Sequence, residues 1–145
     1  MEDLNQEKHI GMLLRDVHKD ICNLLNKDLD EYGITMMQYE VLNYIHLIEK
    51  KRDINQKDIE KFFNSTNPTI TGILSRLQAK DLVTRQASTE DARYKIIKLT
   101  DIGRGIVDEC HNKKSMMEER LTKNLSLEEQ EQLRYLLKLV IKGLK

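Results

Sequence analysis

The segment from residue 64 to residue 77, which reads NSTNPTITGILSRL, carries the side chains best suited to recognition chemistry. At roughly 100° per residue on a helix, its large apolar side chains share one face, namely Ile70, Ile73, Leu74 and Leu77. The opposite face has small hydroxyls, no acidic residue, and Gly72, which allows a close approach of backbone. Such a face can enter the major groove of DNA. Taken alone, the segment also fits an ordinary amphipathic helix with a few threonines.

The start of this helix is predicted by a proline. Pro68 suits the first helical position, because the N–H that it lacks would have no partner there and its fixed φ is already helical. Asn67 is therefore the predicted N-cap.

Two more helix starts lie upstream. Asn55, with Asp58 three residues later, is typical of a capping box that opens a short helix. Thr35 and Gln38 repeat this pattern. The helix after Thr35 has apolar residues three or four positions apart, as on the buried face of a helix, namely Val41, Leu42, Ile45 and Ile48. Three capped helices close together in the sequence predict a compact three-helix unit.

Two short segments rich in β-branched and aromatic residues follow, at 82–86 and 94–99, and a polar loop at 87–93 separates them. This pattern predicts a β-hairpin, which we call the wing. Arg93, near its tip, could enter a minor groove, and Asp91 could hold the arginine in place through a charge-assisted hydrogen bond. The alternative is a solvated ion pair of little consequence.

Several short motifs between residues 33 and 103 occur together. They are Gly33-Ile-Thr35, Gln38, Val41-Leu42, Asp58-Ile59, Thr69-Ile-Thr71, Arg76-Leu77, Leu82-Val-Thr-Arg85, Glu90-Asp-Ala-Arg93, Leu99-Thr100 and Gly103. In this order the motifs resemble the MarR family of bacterial transcription regulators. The family usually has glycine where this chain has Asp81, at a position that ends a helix in the αL conformation. Asp adopts αL more readily than most residues but less readily than Gly, so the turn should survive at a small cost in stability.

The resemblance implies a mainly α-helical fold. A winged helix-turn-helix lobe, with three helices and a two-stranded β wing, would be flanked by N- and C-terminal dimerisation helices. The expected domains are an N-terminal dimerisation helix at 1–33, the DNA-binding lobe at 34–99 and C-terminal dimerisation helices at 100–145. The apolar spacing of the flanking helices exceeds what a small lobe can cover. The resemblance implies that these helices interlace with those of a second subunit to form a homodimer.

Both C-terminal helices have a predicted start. Thr100 is expected to cap the first of them. Ser126 with Glu129 is typical of a capping box that opens the last helix.

The expected partner is a double-stranded DNA operator of pseudo-palindromic sequence, and the expected function is that of a repressor. Recognition would come from the third helix, and the basic residues of the wing would neutralise phosphates. The expected contact residues are Asn67, Pro68, Thr69, Thr71, Gly72, Ser75, Arg76, Arg85, Asp91, Arg93, Lys95 and Lys98. The alternative from another class is a winged-helix module that binds a protein partner through the same face.

Charge is distributed unevenly along the chain. The 24 basic and 24 acidic residues give zero net charge, but residues 51–99 hold ten basic and six acidic side chains. The lobe is therefore positive and the flanks are negative, which would orient the protein on DNA.

The sequence predicts neither an enzyme nor a metal or cofactor site. Phosphate-binding glycine loops and nucleophile elbows are absent from it, and its histidines, at 9, 18, 46 and 111, lack zinc-site spacing. Cys22 and Cys110 are expected to be buried structural thiols. A redox- or metal-sensing regulator of the same fold is the alternative if either thiol is accessible. Without a signal peptide or an apolar run of about 18 residues, a cytoplasmic protein is expected.

The resemblance also implies a small, aromatic or anionic effector bound between the dimer helices and the lobe. Met12, Arg15, His18, Met36 and Met37 could line such a crevice, with Arg15 or His18 meeting an anion. The alternative is that the methionines simply pack in the core. The sequence does not identify the effector.

Overall fold

The computed structural model describes residues 8–145, so the first seven residues of the predicted N-terminal domain lie outside it. Its helices and strands follow in the order α1 (Ile10–Asp30), α2 (Met36–Ile48), α3 (Gln56–Phe63), α4 (Asn67–Ala79), β1 (Val83–Ala87), β2 (Lys95–Leu99), α5 (Asp101–Thr122) and α6 (Leu127–Gly143). The fold is mainly helical with one two-stranded antiparallel sheet, as the sequence predicted. No helix among the described residues is long and apolar enough to cross a bilayer.

The chain divides into two compact units, one ending at His111 and the other running from Asn112 to Lys145. The boundary falls inside α5. The first half of α5 belongs with the lobe because Val107 and Cys110 are part of the hydrophobic core there.

The three predicted capping boxes are present. The Thr35 hydroxyl accepts from the backbone N–H of Gln38, whose side chain accepts from the Thr35 N–H, both at 3.2 Å. Asn55 and Asp58 make the same reciprocal pair at 3.0 Å. At the start of α6, the Ser126 N–H donates to the Glu129 carboxylate at 2.8 Å, and the Ser126 hydroxyl accepts from the backbone N–H of Glu129 at 3.1 Å.

The predicted start of α4 was wrong by one residue. Thr66, not Asn67, is the N-cap, since its backbone is extended and its carbonyl accepts from the N–H of Ile70 at 3.1 Å. Asn67 is the first helical residue and Pro68 the second, where a missing N–H is equally harmless. The Thr66 hydroxyl makes no capping bond to backbone and instead lies 3.0 Å from the Thr69 hydroxyl.

The core of the lobe lies under α4. Its apolar face is buried as predicted, and it packs with side chains from α2, α3, the wing, the end of α1 and the first half of α5. The fully buried large side chains include Val41, Leu42, Ile45, Ile59, Ile70, Leu74, Leu77, Val83 and Ile97. This packing fixes α4 and leaves its outer face at the surface.

The wing is anchored at its base. Its strands pair in the register Val83 with Leu99 through Ala87 with Lys95. The N–H of Ile97 also donates to the carbonyl of Ile54 at 2.8 Å, outside this hairpin ladder. The β2 strand is therefore held from both sides.

Two backbone features support the connection between α4 and the wing. Asp81 has a φ of 58°, so it occupies the αL conformation that the resemblance assigned to this position. The Thr100 hydroxyl donates to the carbonyl of Asp81 at 2.7 Å and accepts from the N–H of Gly103 at 3.0 Å, which makes Thr100 the predicted cap of α5. A β-carbon on Gly103 would lie 2.2 Å from the carbonyl oxygen of Leu82, so only glycine fits there.

The flanking helices expose apolar side chains. In α1, Ile10, Leu13 and Val17 are exposed. Helix α6, which is described in full, has no buried residue, and its exposed apolar side chains include Leu133, Leu136, Leu137, Val140 and Ile141.

The expectation for the two thiols was half correct. Cys110 is buried, but Cys22 is only partly buried. Its sulfur lies 3.5 Å from Nε2 of His18, one helical turn earlier. Cys22 is less buried than Cys110 because most of α1 lies at the surface, and Leu29 is the one buried residue of this helix.

Candidate nucleic-acid interface

The outer face of α4 carries the residues predicted to meet DNA. Thr71 and Gly72 are half-buried. The exposed members of the predicted set on this helix are Asn67, Pro68, Thr69, Ser75 and Arg76. Arg76 folds back along the helix, so that one terminal guanidinium nitrogen lies 3.9 Å from where a β-carbon on Gly72 would be. The helix thus presents hydroxyls, an amide and a guanidinium, with no carboxylate.

Helix α3 contributes a residue to this face that sequence reasoning missed. The Gln56 carboxamide nitrogen donates to the Thr71 hydroxyl at 2.7 Å. The Thr71 hydroxyl in turn lies 3.4 Å from Oδ1 of Asn67. Gln56 follows a recognisable N-cap, but nothing in the sequence signals that the residue after a cap reaches a helix that begins 11 residues later.

The predicted ion pair at the tip of the wing is present. Arg93 donates from Nε to Oδ1 of Asp91 at 3.1 Å and from Nη2 to Oδ2 at 3.0 Å, and its backbone N–H donates to Oδ1 at 3.0 Å. The side-chain bonds, followed by the backbone bond, lower the pKa of Asp91, and Asp91 raises the pKa of Arg93. The Arg93 side chain remains 89% exposed, so its outer edge faces solvent.

Arg85 connects the wing with α4. Its Nη2 lies 3.5 Å from the Ser75 hydroxyl, at the limit of a hydrogen bond. Its Nε is buried and has no hydrogen-bond partner among the described residues. Lys95 and Lys98 are exposed on β2. Arg85 therefore lies on the same side of the lobe as Ser75. Lys98 pairs with Thr84 across the hairpin, so it lies on the opposite face of the sheet from Arg85 and Lys95.

A cleft of about 470 Å³ lies between the wing and the N-terminal ends of α3 and α4. It is lined by Asn55, Gln56, Lys57, Asn67, Arg85, Arg93, Tyr94, Lys95 and Ile97. Four of these side chains are cations and none is acidic, so the cleft suits an anion such as a backbone phosphate. Lys57 and Tyr94 were missed as candidates, because neither belongs to the α4 pattern or to the Asp91 and Arg93 pair.

A second cleft of about 490 Å³ adjoins the first and shares Asn55, Tyr94 and Lys95 with it. Its other lining residues include three acids, Asp53, Glu90 and Asp91. The second cleft thus holds one cation, Lys95, against three acids, whereas the cleft beside α4 holds four cations and no acid.

The residues predicted to line an effector site make other contacts. Met36 and Met37 pack against the core of the lobe. Arg15 is exposed and pairs with Asp16 at 3.1 Å, Met12 is exposed, and His18 contacts Cys22. Among residues 8–145, no group of three or more His, Cys, Asp or Glu side chains is arranged to hold a metal ion.

The lobe has the form of a DNA-binding winged helix, and comparisons with known proteins identify its family. The MarR family profile matches residues 34–95. The chain is 32% identical over 133 residues to the multiple antibiotic resistance protein MarR of Escherichia coli (strain K12), covering 91% of this chain and 90% of that protein.

Solved structures agree with this likeness. The crystal structure of MepR, a transcription regulator of the Staphylococcus aureus multidrug efflux pump MepA, superposes with a TM-score of 0.82 at 28% identity, covering 95% of this chain and all of that chain. The S. aureus MepR–DNA complex superposes with a TM-score of 0.75 at 28% identity, covering 94% and 97%. The chain belongs to the MarR family and is a DNA-binding transcriptional regulator of the MarR type. MarR proteins are regulators rather than enzymes.

Proposed function

We propose that the protein is a homodimeric repressor that binds a pseudo-palindromic operator through two α4 helices and two wings. Each α4 would read base edges in a major groove, and each Arg93 would enter the adjacent minor groove. A repressor of this kind blocks access to a promoter by occupying it. Such a protein acts where the chromosome is, so we place it in the cytoplasm.

The observation that carries the proposal is the continuity of the α4 face with the cationic cleft. Arg85 reaches Ser75 of α4 and also lines the cleft. A duplex whose major groove receives α4 would therefore bring a phosphate row against Lys57 and Lys95 at the same time. The twelve residues predicted from sequence, together with Gln56, Lys57 and Tyr94, form the proposed contact surface.

The dimer is supported by the apolar side chains of the flanking helices. In α6 these side chains recur along the helix, and none of them is buried by residues 8–145. A second copy that packs against them would remove this surface from water. We therefore propose residues 1–33 and 100–145 as dimerisation segments on either side of the DNA-binding lobe at 34–99. Sedimentation at micromolar concentration should show a dimer, and a stable monomer would contradict this part of the proposal.

Release of the operator is proposed to follow from a small effector that changes the distance between the two lobes. The candidate site residues are Met12, Arg15 and His18 of α1, with Met36 and Met37 at the start of α2. Arg15 would exchange its bond to Asp16 for a bond to an anionic ligand.

The test is operator binding by a variant with a new carboxylate on α4. Ser75→Glu places a negative charge against base edges and phosphates, while its exposed position leaves the core intact. The probe is a genomic DNA fragment that the wild-type protein retains from a fragment pool. In a gel-shift titration, Ser75→Glu should lose specific binding to this fragment, while its circular dichroism spectrum stays unchanged. Asn26→Glu adds the same charge at an exposed position of α1, outside the DNA-binding lobe, and is the matched control. Because α1 belongs to the proposed dimerisation segment, sedimentation first checks that this variant is still a dimer, and the dimer should keep the wild-type affinity within about twofold. Equal affinity of Ser75→Glu and the control would show that another surface binds DNA.

A further inference from the structure

Gln56 occupies a position from which it can control the chemistry of α4 without belonging to that helix. It is the first residue of α3, and its half-buried carboxamide reaches Thr71 on the outer face of α4. The two residues are 15 positions apart in the sequence. Their contact joins the two helices of the helix-turn-helix through side chains that face the proposed DNA surface.

The orientation of the carboxamide is determined by its neighbours. Besides the Thr71 hydroxyl, the nitrogen lies 3.4 Å from the carbonyl oxygen of Asn67 and 3.5 Å from Oε1 of Glu60. A carbonyl and an ionised carboxylate only accept hydrogen bonds. The reverse orientation would place the amide oxygen against two other acceptors, so the nitrogen must face inward.

This orientation fixes what the Thr71 hydroxyl can offer. A hydroxyl has one hydrogen and two lone pairs. Gln56 donates to one lone pair at 2.7 Å, and the hydrogen has an acceptor in Oδ1 of Asn67 at 3.4 Å. The second lone pair is the part that remains for a ligand. Thr71 therefore presents an acceptor at the surface of α4.

An acceptor distinguishes between bases in the major groove. The exocyclic amino groups of adenine and cytosine donate there, whereas the carbonyl oxygens of thymine and guanine accept. We propose that Gln56 is a positioning residue that makes Thr71 select an amino-bearing base, adenine or cytosine, at one position of each half-site. Without Gln56 the hydroxyl can rotate and offer either its hydrogen or a lone pair, so the selection weakens. This inference rests on the proposed contact of α4 with DNA.

The experiment measures base preference with a randomised pool of DNA duplexes, from which the full-length protein selects sequences at a fixed salt concentration. Gln56→Met keeps the length of the side chain and removes the donor. At one position per half-site, the preference for an amino-bearing base should fall about fivefold or more, while other positions keep theirs. The salt dependence of binding should stay the same, because no phosphate contact has changed.

Lys57→Met is the matched control, since it alters the adjacent residue in the cationic cleft. It should weaken binding to all sequences about equally and lower the salt slope by about one, with base preference intact. This contrast separates a residue that positions Thr71 from one that neutralises a phosphate.

Thr71→Val and the double variant decide between the possible outcomes. Thr71→Val removes the hydroxyl at nearly constant shape, so it should relax the same base position, and adding Gln56→Met should change nothing further. Thr71→Ser keeps a hydroxyl and should retain the dependence on Gln56.

If Thr71→Val relaxes the preference but Gln56→Met does not, the inference about Gln56 is wrong and the proposed function stands. If Thr71→Val and Ser75→Glu both leave binding unchanged, the proposed use of α4 fails as well.

Discussion

Glu49 and Arg104 form an ion pair at 3.2 Å between the C-terminal end of α2 and the first turn of α5. The other oxygen of the Glu49 carboxylate accepts from the backbone N–H of Leu99, the last residue of the wing, at 3.0 Å. The Glu49 side chain is 9% exposed, so these bonds form largely out of water. One carboxylate thus joins the core, the wing and the helix that leads out of the lobe.

Replacing Glu49 should therefore destabilise the lobe. Glu49→Ala leaves the Leu99 N–H and one edge of Arg104 without this acceptor, and we expect the free energy of unfolding to fall by about 2 kcal/mol. Urea unfolding at fixed protein concentration measures this change. Glu49→Gln retains one acceptor oxygen, so its free energy of unfolding should fall by about half as much as that of Glu49→Ala. Unfolding midpoints equal to wild type for both variants would contradict the structural role of this carboxylate.

Two glycines of α5 should respond to the same substitution in opposite directions. Gly103→Ala forces a β-carbon against the Leu82 carbonyl and should cost about 3 kcal/mol or more. The β-carbon of Gly105→Ala would meet no other described residue within 4 Å, so this variant should stabilise the helix by about 0.5–1 kcal/mol. Thermal unfolding of the two variants side by side provides the measurement. Similar effects from both would show that the close approach of α5 to Leu82 is not rigid.

The Asp91 carboxyl should titrate below the ordinary aspartate range, because Arg93 hydrogen-bonds to its charged form. A folded-state pKa that lies below the unfolded-state value contributes stability at higher pH, and this contribution is lost as the pH falls through the folded-state pKa. The ion pair is therefore complete at neutral pH and breaks only in acid. An NMR titration of the Asp91 carboxyl carbon measures the pKa. Arg93→Ala should return it towards the ordinary value, whereas Arg85→Ala should leave it unchanged; equal values in all three proteins would overturn this account.

The wing variants should differ in how they change DNA binding. Arg93→Ala is expected to cost about 1–3 kcal/mol and to weaken the preference for A·T at the flanks of each half-site. Asp91→Ala should produce a smaller effect of the same kind, because it loosens Arg93 without removing it. Lys98→Ala should weaken binding to all sequences and lower the salt slope by about one. Binding isotherms at several salt concentrations test this order. Tighter specific binding by Asp91→Ala would mean that this carboxylate only repels phosphate.

Local patterns in the sequence were enough to predict most of the fold. Each capping box depends on two residues three positions apart, and the pair Asp91 and Arg93 on two residues two positions apart. The αL conformation of Asp81, by contrast, was expected from the resemblance to the MarR family, which usually has glycine at this position. The start of α4 was missed by one residue because Thr66 and Asn67 are both good caps, and the choice between them depends on backbone geometry.

The contacts that sequence reasoning missed join distant parts of the chain. Glu49 and Leu99 are 50 residues apart, and Glu49 and Arg104 are 55 apart. Gln56 and Thr71 meet only because the packing of α3 on α4 sets the angle between the two helices. No period or spacing in the sequence encodes such pairs, since they depend on which surfaces the core brings together.

The three bonds between Asp91 and Arg93 bear on the entropy of DNA recognition. A free arginine side chain loses rotamer freedom on the order of 2 kcal/mol when a ligand fixes it. In this wing the loop already restricts the side chain before any duplex arrives, and only part of its N–H donors are engaged with the carboxylate. The remaining donors point away from Asp91 as a prearranged fork. If the wing enters a groove as proposed, this restriction would lower the side-chain entropy that docking costs.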